Sequence, residues 1–315
     1  MRRLWPVPYL AIALCNCLWG QNDVTQRIQR AYDLEQKGQF GQAVEILRPL
    51  TGSHQASDAE EGRIWISLGY AYQEESDFAE ARRCYEQAAG IFRDRPSDKA
   101  NYGTALDNLA DWYREMGKLR AAHMAEMSAL QQYRRAGDHS GAASALMHLA
   151  VIELTRKREF EAQQYLDAAD EEARLARTQN DDLFAELYST RGWLAEVEGN
   201  TSTAIYDYGQ SLALRTCKSC MLAGWDYVLL GKAYANDGRL TEGLNNMRKG
   251  LVILSDTSWQ HSRRYLAAEI AYAQVLDSSG EHAKSTTLKI AAKREMDALD
   301  RGRCASCREG LVANR

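Results

Sequence analysis

The chain has 315 residues, of which 45% are hydrophobic and 26% are charged. A disordered chain is excluded, because it would lack the apolar residues that form a core. The formal net charge of −4 gives no reason to expect nucleic acid or an anionic membrane as a partner. Beyond the N-terminal segment, no stretch approaches the roughly 18 apolar residues of a membrane-spanning helix.

Residues 1–20 are predicted to be a signal peptide. Arg2 and Arg3 provide a positive start, and residues 4–18 carry no charge and are mostly apolar. This order is typical of secretory signals. We therefore expect an exported protein, located in the periplasm or secreted. The alternative is an uncleaved signal that tethers the protein to the membrane, which would be its only membrane contact.

A pattern of small residues recurs seven times along the rest of the chain, at intervals of 38 to 42 residues. The first member of each copy is Ala31, Gly69, Ala110, Ala150, Gly192, Gly231 and Ala273. Seven residues later come Gly38, Ser76, Gly117, Lys157, Gly199, Gly238 and Gly280. Twelve residues after the first come Ala43, Ala81, Ala122, Ala162, Ala204, Gly243 and Ser285. Small residues on two helices allow close approach, and glycine between them favours a left-handed turn. The pattern predicts seven helix–turn–helix units.

Large apolar residues surround the small ones, most clearly in the second copy. Trp65, Leu68 and Tyr72 share one helical face before the turn, and Phe78 and Tyr85 follow it. With these residues the sequence resembles the tetratricopeptide repeat family, and its period near 40 is similar to the family's longer-helix variety.

The resemblance implies an all-α fold, a right-handed α-α superhelix (solenoid) of about seven repeats and fourteen helices. We expect three segments: the signal peptide at 1–20, one superhelical domain at 24–300, and a basic tail at 301–315 that contains a CxxC pair. Pro49 and Pro96 fall near predicted repeat junctions, where proline does not interrupt a helix.

The resemblance also implies that the first helix of each repeat lines a concave partner-binding groove. By position, the candidates are Arg63, Ile66, Tyr70, Gln73, Asp107, Asp111, Arg114, Met147, Val151, Trp193, Glu196, Trp225 and Lys232. Aromatic residues together with both signs of charge suit an extended peptide or a helix. The alternative for Ile66, Met147 and Val151 is packing against neighbouring helices.

Motifs of common enzymes are absent from the sequence. There is no GxxxxGK phosphate loop, no GxGxxG after a strand and no HExxH. Asp138, His139 and Ser140 are adjacent in the chain and so cannot form a triad, and we interpret them as a polar turn. His148 is interpreted as a packing or surface residue. We predict a protein without enzymatic activity and without a cofactor.

Five cysteines follow the predicted signal. Cys84 lies on a repeat helix and is predicted to be buried. The others form two CxxC pairs, Cys217 with Cys220 and Cys304 with Cys307. Three interpretations fit the pairs: local disulfides, which export would favour, a four-thiolate zinc site, or free thiols. Zinc requires either that the last helix ends early or that the tail bends back, because two repeats separate the pairs by roughly 20 Å and four residues span at most about 14 Å.

Two functional hypotheses follow. The first is a non-enzymatic interaction scaffold or adaptor that binds another protein or a peptide in the groove. The alternative is an envelope redox or zinc-binding protein that uses the two CxxC pairs.

Overall fold

A computed structural model describes residues 23–53, 55–176, 181–255 and 262–312 of the chain, with side chains as far as residue 299. Within these ranges the chain is α-helical, with two short 3-10 turns and no strand. The predicted signal peptide at 1–20 lies outside the described residues. The helices pair in chain order as α1 (23–35) with α2 (Phe40–Leu47), α3 (Asp58–Glu74) with α4 (Phe78–Arg93), α5 (Lys99–Glu115) with α6 (Leu119–Ala136), α7 (His139–Thr155) with α8 (Glu159–Leu175), α9 (Asp181–Val197) with α10 (Thr201–Leu214), α11 (Met221–Asn236) with α12 (Leu240–Ser255), and α13 (Arg263–Ser278) with α14 (His282–Val312).

The hairpins stack in sequence to form a solenoid. From α3 onward, each first helix packs against its own second helix, and each second helix packs against the next hairpin. Contacts between α3 and α5, α5 and α7, α7 and α9, and α11 and α13 place the first helices in an inner layer. The predicted all-α solenoid is confirmed. None of the helices in the described ranges combines the length and the apolar composition that a bilayer span requires.

The seven turn positions share one backbone conformation. All of them have φ between 60° and 90°, including the two that are not glycine, Ser76 and Lys157. Left-handed backbone costs an L-residue about 1–2 kcal/mol, so packing of the two flanking helices must hold these turns in place.

The small residues bring paired helices close together. A methyl group added to Gly69 would lie 2.5 Å from the ring of Tyr85, so the ring of one helix occupies the space beside the other's backbone. In α11 and α12 the approach is closer still, since a methyl group on Gly250 would lie 2.5 Å from the carbonyl oxygen of Gly224. The recurrence of small residues is therefore a packing requirement.

Local signals set the junctions between repeats. Pro49 and Pro96 lie in the 3-10 turns Arg48–Leu50 and Pro96–Asp98, at the junctions where they were predicted. Asp138 caps α7, because its carboxylate accepts a hydrogen bond from the Gly141 amide at 2.9 Å. The Asp138–Ser140 segment is thus the polar turn predicted from sequence.

The superhelix turns far enough to contact itself. Met221, at the start of α11, packs against the cluster of Phe40 and Ala71 from the first two repeats. Arg264, at the start of α13, donates a hydrogen bond to the Met221 sulfur at 2.6 Å, and α14 contacts α4. The last two repeats therefore close against the first two.

Candidate functional site

A cavity of about 740 Å³ lies between the inner helices. Side chains of α5, α7, α9, α11 and α13 line it, and Met296 of α14 adds to the wall. Its volume falls within the range of about 300–1,000 Å³ that is usual for ligand sites. The inner layer therefore borders an open cavity of ligand size.

Seven of the thirteen predicted groove residues line this cavity. They come from four successive first helices and are Asp111, Arg114, Val151, Trp193, Glu196, Trp225 and Lys232. The structure thus brings residues that are more than a hundred positions apart to one space.

The predicted residues of α3 lie elsewhere. Arg63 is exposed, Ile66 packs against Ala88 to Phe92 of α4, and Tyr70 contacts Phe40 edge-on, with ring centroids 5.8 Å apart. Ile66 therefore packs against neighbouring helices, which was the alternative expected for it, and does not line the cavity. The Gln73 amide is buried and donates to Asp111 Oδ2 at 2.8 Å, so it supports a cavity residue from behind.

Met147 requires a correction. It is only 1% exposed and belongs to the core between α6, α7 and α8, so it does not line a groove. The neighbouring residue His148 faces the cavity instead, together with Val151. One residue corresponds to about 100° of helix rotation, which carries the side chain from the core to the cavity.

Two ion pairs lie in the cavity wall. Lys232 Nζ lies 2.6 Å from Glu196 Oε1, and Arg114 Nε donates to Asp111 Oδ1 at 3.0 Å. Burial alone would raise the pKa of the Asp111 carboxyl, but the Arg114 charge and hydrogen bond outweigh it and lower that pKa. Asp111 is therefore ionised in the wall.

A third ion pair of the cavity lining is fully buried. Arg215 Nε lies 2.8 Å from Asp226 Oδ2, and both side chains are buried. Asp226 also accepts hydrogen bonds from Ser211 at 2.7 Å and from Ser189 at 2.8 Å. These bonds join α9, α10 and α11, and so they fix the helices that carry Trp193 and Trp225.

His148 stands in a group of carboxylates that sequence reasoning did not find. Its Nδ1 lies 2.8 Å from Asp107 Oδ1 and 3.7 Å from Glu126 Oε1, and its Nε2 lies 3.7 Å from Glu186 Oε1. Burial would lower the pKa of His148, but the three carboxylates outweigh it and raise that pKa. Burial, and then the charge of Asp107, raises the pKa of Glu126 well above its usual range. His148 is thus part of a polar cluster, where a packing or surface role was expected.

One signal for this cluster was present in the sequence. Glu126 lies four residues after Ala122 and three before Ala129, the two small residues that mark the buried face of α6. An acidic residue on such a face needs a buried partner.

The cysteines give a mixed result. Cys84 is buried as predicted, and burial raises the pKa of its thiol to about 12. Cys217 and Cys220 are free thiols in this structure, so the local disulfide, one of the three interpretations given for the pair, is not formed here. Cys220 instead donates to the Cys217 carbonyl at 3.3 Å. The side chains of Cys304 and Cys307 lie outside the described part of the chain, and the role of that pair stays a prediction.

A layer of first helices around a charged and aromatic cavity defines a closed α-solenoid with a ligand-sized interior. Residues 60–135 match a family model described as tetratricopeptide repeat. The predicted resemblance to this family is thereby confirmed, by sequence over the matched residues and by fold over the described chain. A comparison with curated proteins finds no match.

Several solved structures share the fold. The apo form of RapI has a TM-score of 0.63 at 12% identity, covering 87% of this chain and 99% of that chain. The Rap conjugation gene regulator of plasmid pLS20, solved with the Phr* peptide, has a TM-score of 0.61 at 11% identity, covering 88% and 96%. The apo quorum sensor NprR from B. thuringiensis has a TM-score of 0.58 at 13% identity, covering 93% and 87%. At these identities the similarity concerns the fold alone.

Proposed function

We propose that the protein is a non-enzymatic interaction scaffold that binds a segment of another protein, as an extended peptide or a helix, inside the central cavity. The observation that carries this proposal is the convergence of residues from α5, α7, α9 and α11 on one cavity of about 740 Å³. The Rap regulator of pLS20 in its complex with the Phr* peptide gives a precedent for a peptide ligand within a similar fold.

The chemistry of the wall favours a peptide over other ligands. Trp193 and Trp225 offer large apolar faces, which are frequent anchors in protein interfaces. Arg114 and Lys232 donate hydrogen bonds, while Glu196 accepts them. A peptide backbone presents both acceptors and donors, whereas a nucleic acid would require an excess of positive charge.

Peptide selection against the immobilised full-length protein tests the proposal. A displayed library of random peptides is expected to yield binders whose affinities are then measured by calorimetry. The variant carrying Trp193→Ala and Trp225→Ala should bind these peptides at least tenfold more weakly, because both anchors are lost. The matched control is Phe160→Ala on α8 in the outer layer, a side chain that is 72% exposed, and it should bind as the wild type does. Failure to select any peptide, or equal affinity for the double variant, would refute cavity binding.

We further propose that residues 1–20 export the protein, on the basis of the charge and hydropathy order described above. A fusion of residues 1–30 to a reporter enzyme that is active only outside the cytoplasm should be active. Changing Ile12 and Leu14 to Asp should abolish the activity, because charge interrupts the apolar segment. Sequencing of the mature N-terminus then distinguishes cleavage from a membrane tether.

A further inference from the structure

The cluster formed by Asp107, Glu126 and His148 has the spacing of a metal site. The three residues come from α5, α6 and α7, and one ligand atom of each lies within 4.8 Å of the other two. His148 Nδ1 lies 2.8 Å from the Asp107 oxygen and 3.7 Å from the Glu126 oxygen. Two ligand atoms of a tetrahedral zinc ion lie about 3.4 Å apart, given bond lengths of about 2.0–2.2 Å. Small side-chain shifts would therefore bring all three to one ion.

Glu126 supplies an independent observation. Its side chain is only 1% exposed, and its Oε1 atom has no hydrogen-bond partner among the described residues. A buried oxygen without a partner is costly, particularly on an ionisable group. This oxygen faces His148 Nδ1 at a distance beyond hydrogen bonding. A cation between the two atoms would provide the missing partner.

The excess of negative charge around the cluster also favours a bound cation. Asp107, Glu126 and Glu186 surround one imidazole, and the nearby Arg114 guanidinium bonds to Asp111. A divalent cation would offset this excess of carboxylates. Protons on His148 and Glu126 are the competing way to balance the charge, and the experiment below separates the two.

Two other histidine–carboxylate contacts, in which the carboxylate is buried or half-buried, differ in one respect. Glu172, which contacts His139, also accepts a hydrogen bond from Arg134 at 2.8 Å. Glu153, which contacts His123, also accepts one from Arg156 at 2.9 Å. In those pairs a fixed guanidinium already supplies the positive charge next to the buried or half-buried carboxylate.

We propose that Asp107, Glu126 and His148 bind a divalent transition-metal ion, with Zn²⁺ as the representative. An imidazole nitrogen with two carboxylates suits such an ion better than Ca²⁺ or Mg²⁺, which prefer oxygen ligands alone. Glu186 lies on the Nε2 side of His148, where an outer partner orients a metal-bound imidazole. His148 faces the cavity, so a remaining coordination position is open to the cavity interior.

Titration of the metal-free full-length protein with Co²⁺ and Zn²⁺ tests this site without any peptide. Co²⁺ reports its ligands, because thiolate ligands add an intense ultraviolet charge-transfer band that nitrogen and oxygen ligands lack. The CxxC cysteines are thereby distinguished from the proposed cluster. The variants are Glu126→Gln and His148→Gln, and the control is His139→Gln, which alters a histidine–carboxylate pair that contains arginine.

The expected result is one equivalent of Co²⁺ bound without the thiolate band, and displacement of that Co²⁺ by Zn²⁺. Affinity should fall at least tenfold in both cluster variants and remain unchanged in the control. Zn²⁺ should raise the melting temperature of the wild type but not of the variants. Absence of such an equivalent, a thiolate band on all bound Co²⁺, or equal affinity in the variants would overturn the site. Asp107→Asn, at a partly exposed position, provides the test if a variant at the buried Glu126 does not fold.

Discussion

The buried carboxyl of Glu35 makes the stability of the first two repeats depend on pH. Glu35 is 4% exposed and accepts a hydrogen bond from the Ser67 hydroxyl of α3. Burial raises the pKa of Glu35 from 4.5 to about 7, against the opposing effect of the Ser67 hydrogen bond. We expect Glu35→Gln to stabilise the protein at neutral and alkaline pH, because the amide is neutral and still accepts that bond.

The magnitude follows from proton linkage. A raised carboxyl pKa means that the folded state holds its proton more tightly, so this contribution to stability is present below about pH 4.5 and is lost as pH rises to about 7. At about 1.36 kcal/mol per pKa unit, the limiting effect is about 3.4 kcal/mol. Between pH 5 and pH 8 the difference in unfolding free energy between variant and wild type should increase by about 2.5 kcal/mol.

Urea denaturation followed by far-ultraviolet circular dichroism, at pH 5 and at pH 8, measures this difference. Glu45→Gln on the exposed side of α2 is the control, and its stability relative to the wild type should not change with pH. If Glu35→Gln changed the unfolding free energy by the same amount at pH 5 and at pH 8, Glu35 would already be ionised in the folded protein at pH 5. Burial would then not raise its pKa.

Three further predictions concern packing, turns and the buried ion pair. Gly250→Ala should cost roughly 1–3 kcal/mol of unfolding free energy, because the added methyl meets a carbonyl oxygen of α11, whereas Gly209→Ala in open space should gain up to about 1 kcal/mol. Equal melting temperatures for these two variants would contradict the close approach. Lys157→Gly should raise stability by about 0.5–1 kcal/mol by relieving a φ of 60°, and a lower melting temperature would count against turn strain. Asp226→Ala should cost about 3–5 kcal/mol because Arg215 loses its buried partner, and adding Arg215→Met should restore much of it in a chemical denaturation experiment.

The repeat architecture was predictable because close helix packing restricts residue type at fixed intervals. Ser76 and Lys157 show how strong this constraint is: the period placed both at turns although neither is glycine, and both have positive φ. The repeat junctions at Pro49 and Pro96 were also predictable from local sequence, because proline interrupts a helix. Such signals act within one hairpin, where sequence distance is short.

The site was predictable only in part, because it depends on contacts among several repeats. The place of Trp193 and Trp225 in the cavity wall was predictable from their positions within the repeat, because α9 and α11 occupy the regular inner positions of the solenoid. The same positional rule pointed to Met147, whereas the next residue, His148, faces the cavity, because α7 is buried on most of its surface and only a narrow strip of it is open. The Glu126 cluster requires three helices to meet, and no single helix pattern specifies that meeting.

Closure of the superhelix changes how the stability of the array should respond to the loss of a repeat. In an open array each unit interacts only with its neighbours, so the ends fray separately. Here Met221 packs against the cluster of Phe40 and Ala71, and α14 contacts α4, so the first and last repeats of the described array stabilise each other. Losing the first two hairpins would therefore weaken the sixth and seventh units directly. The described array should therefore melt with higher cooperativity than a linear one.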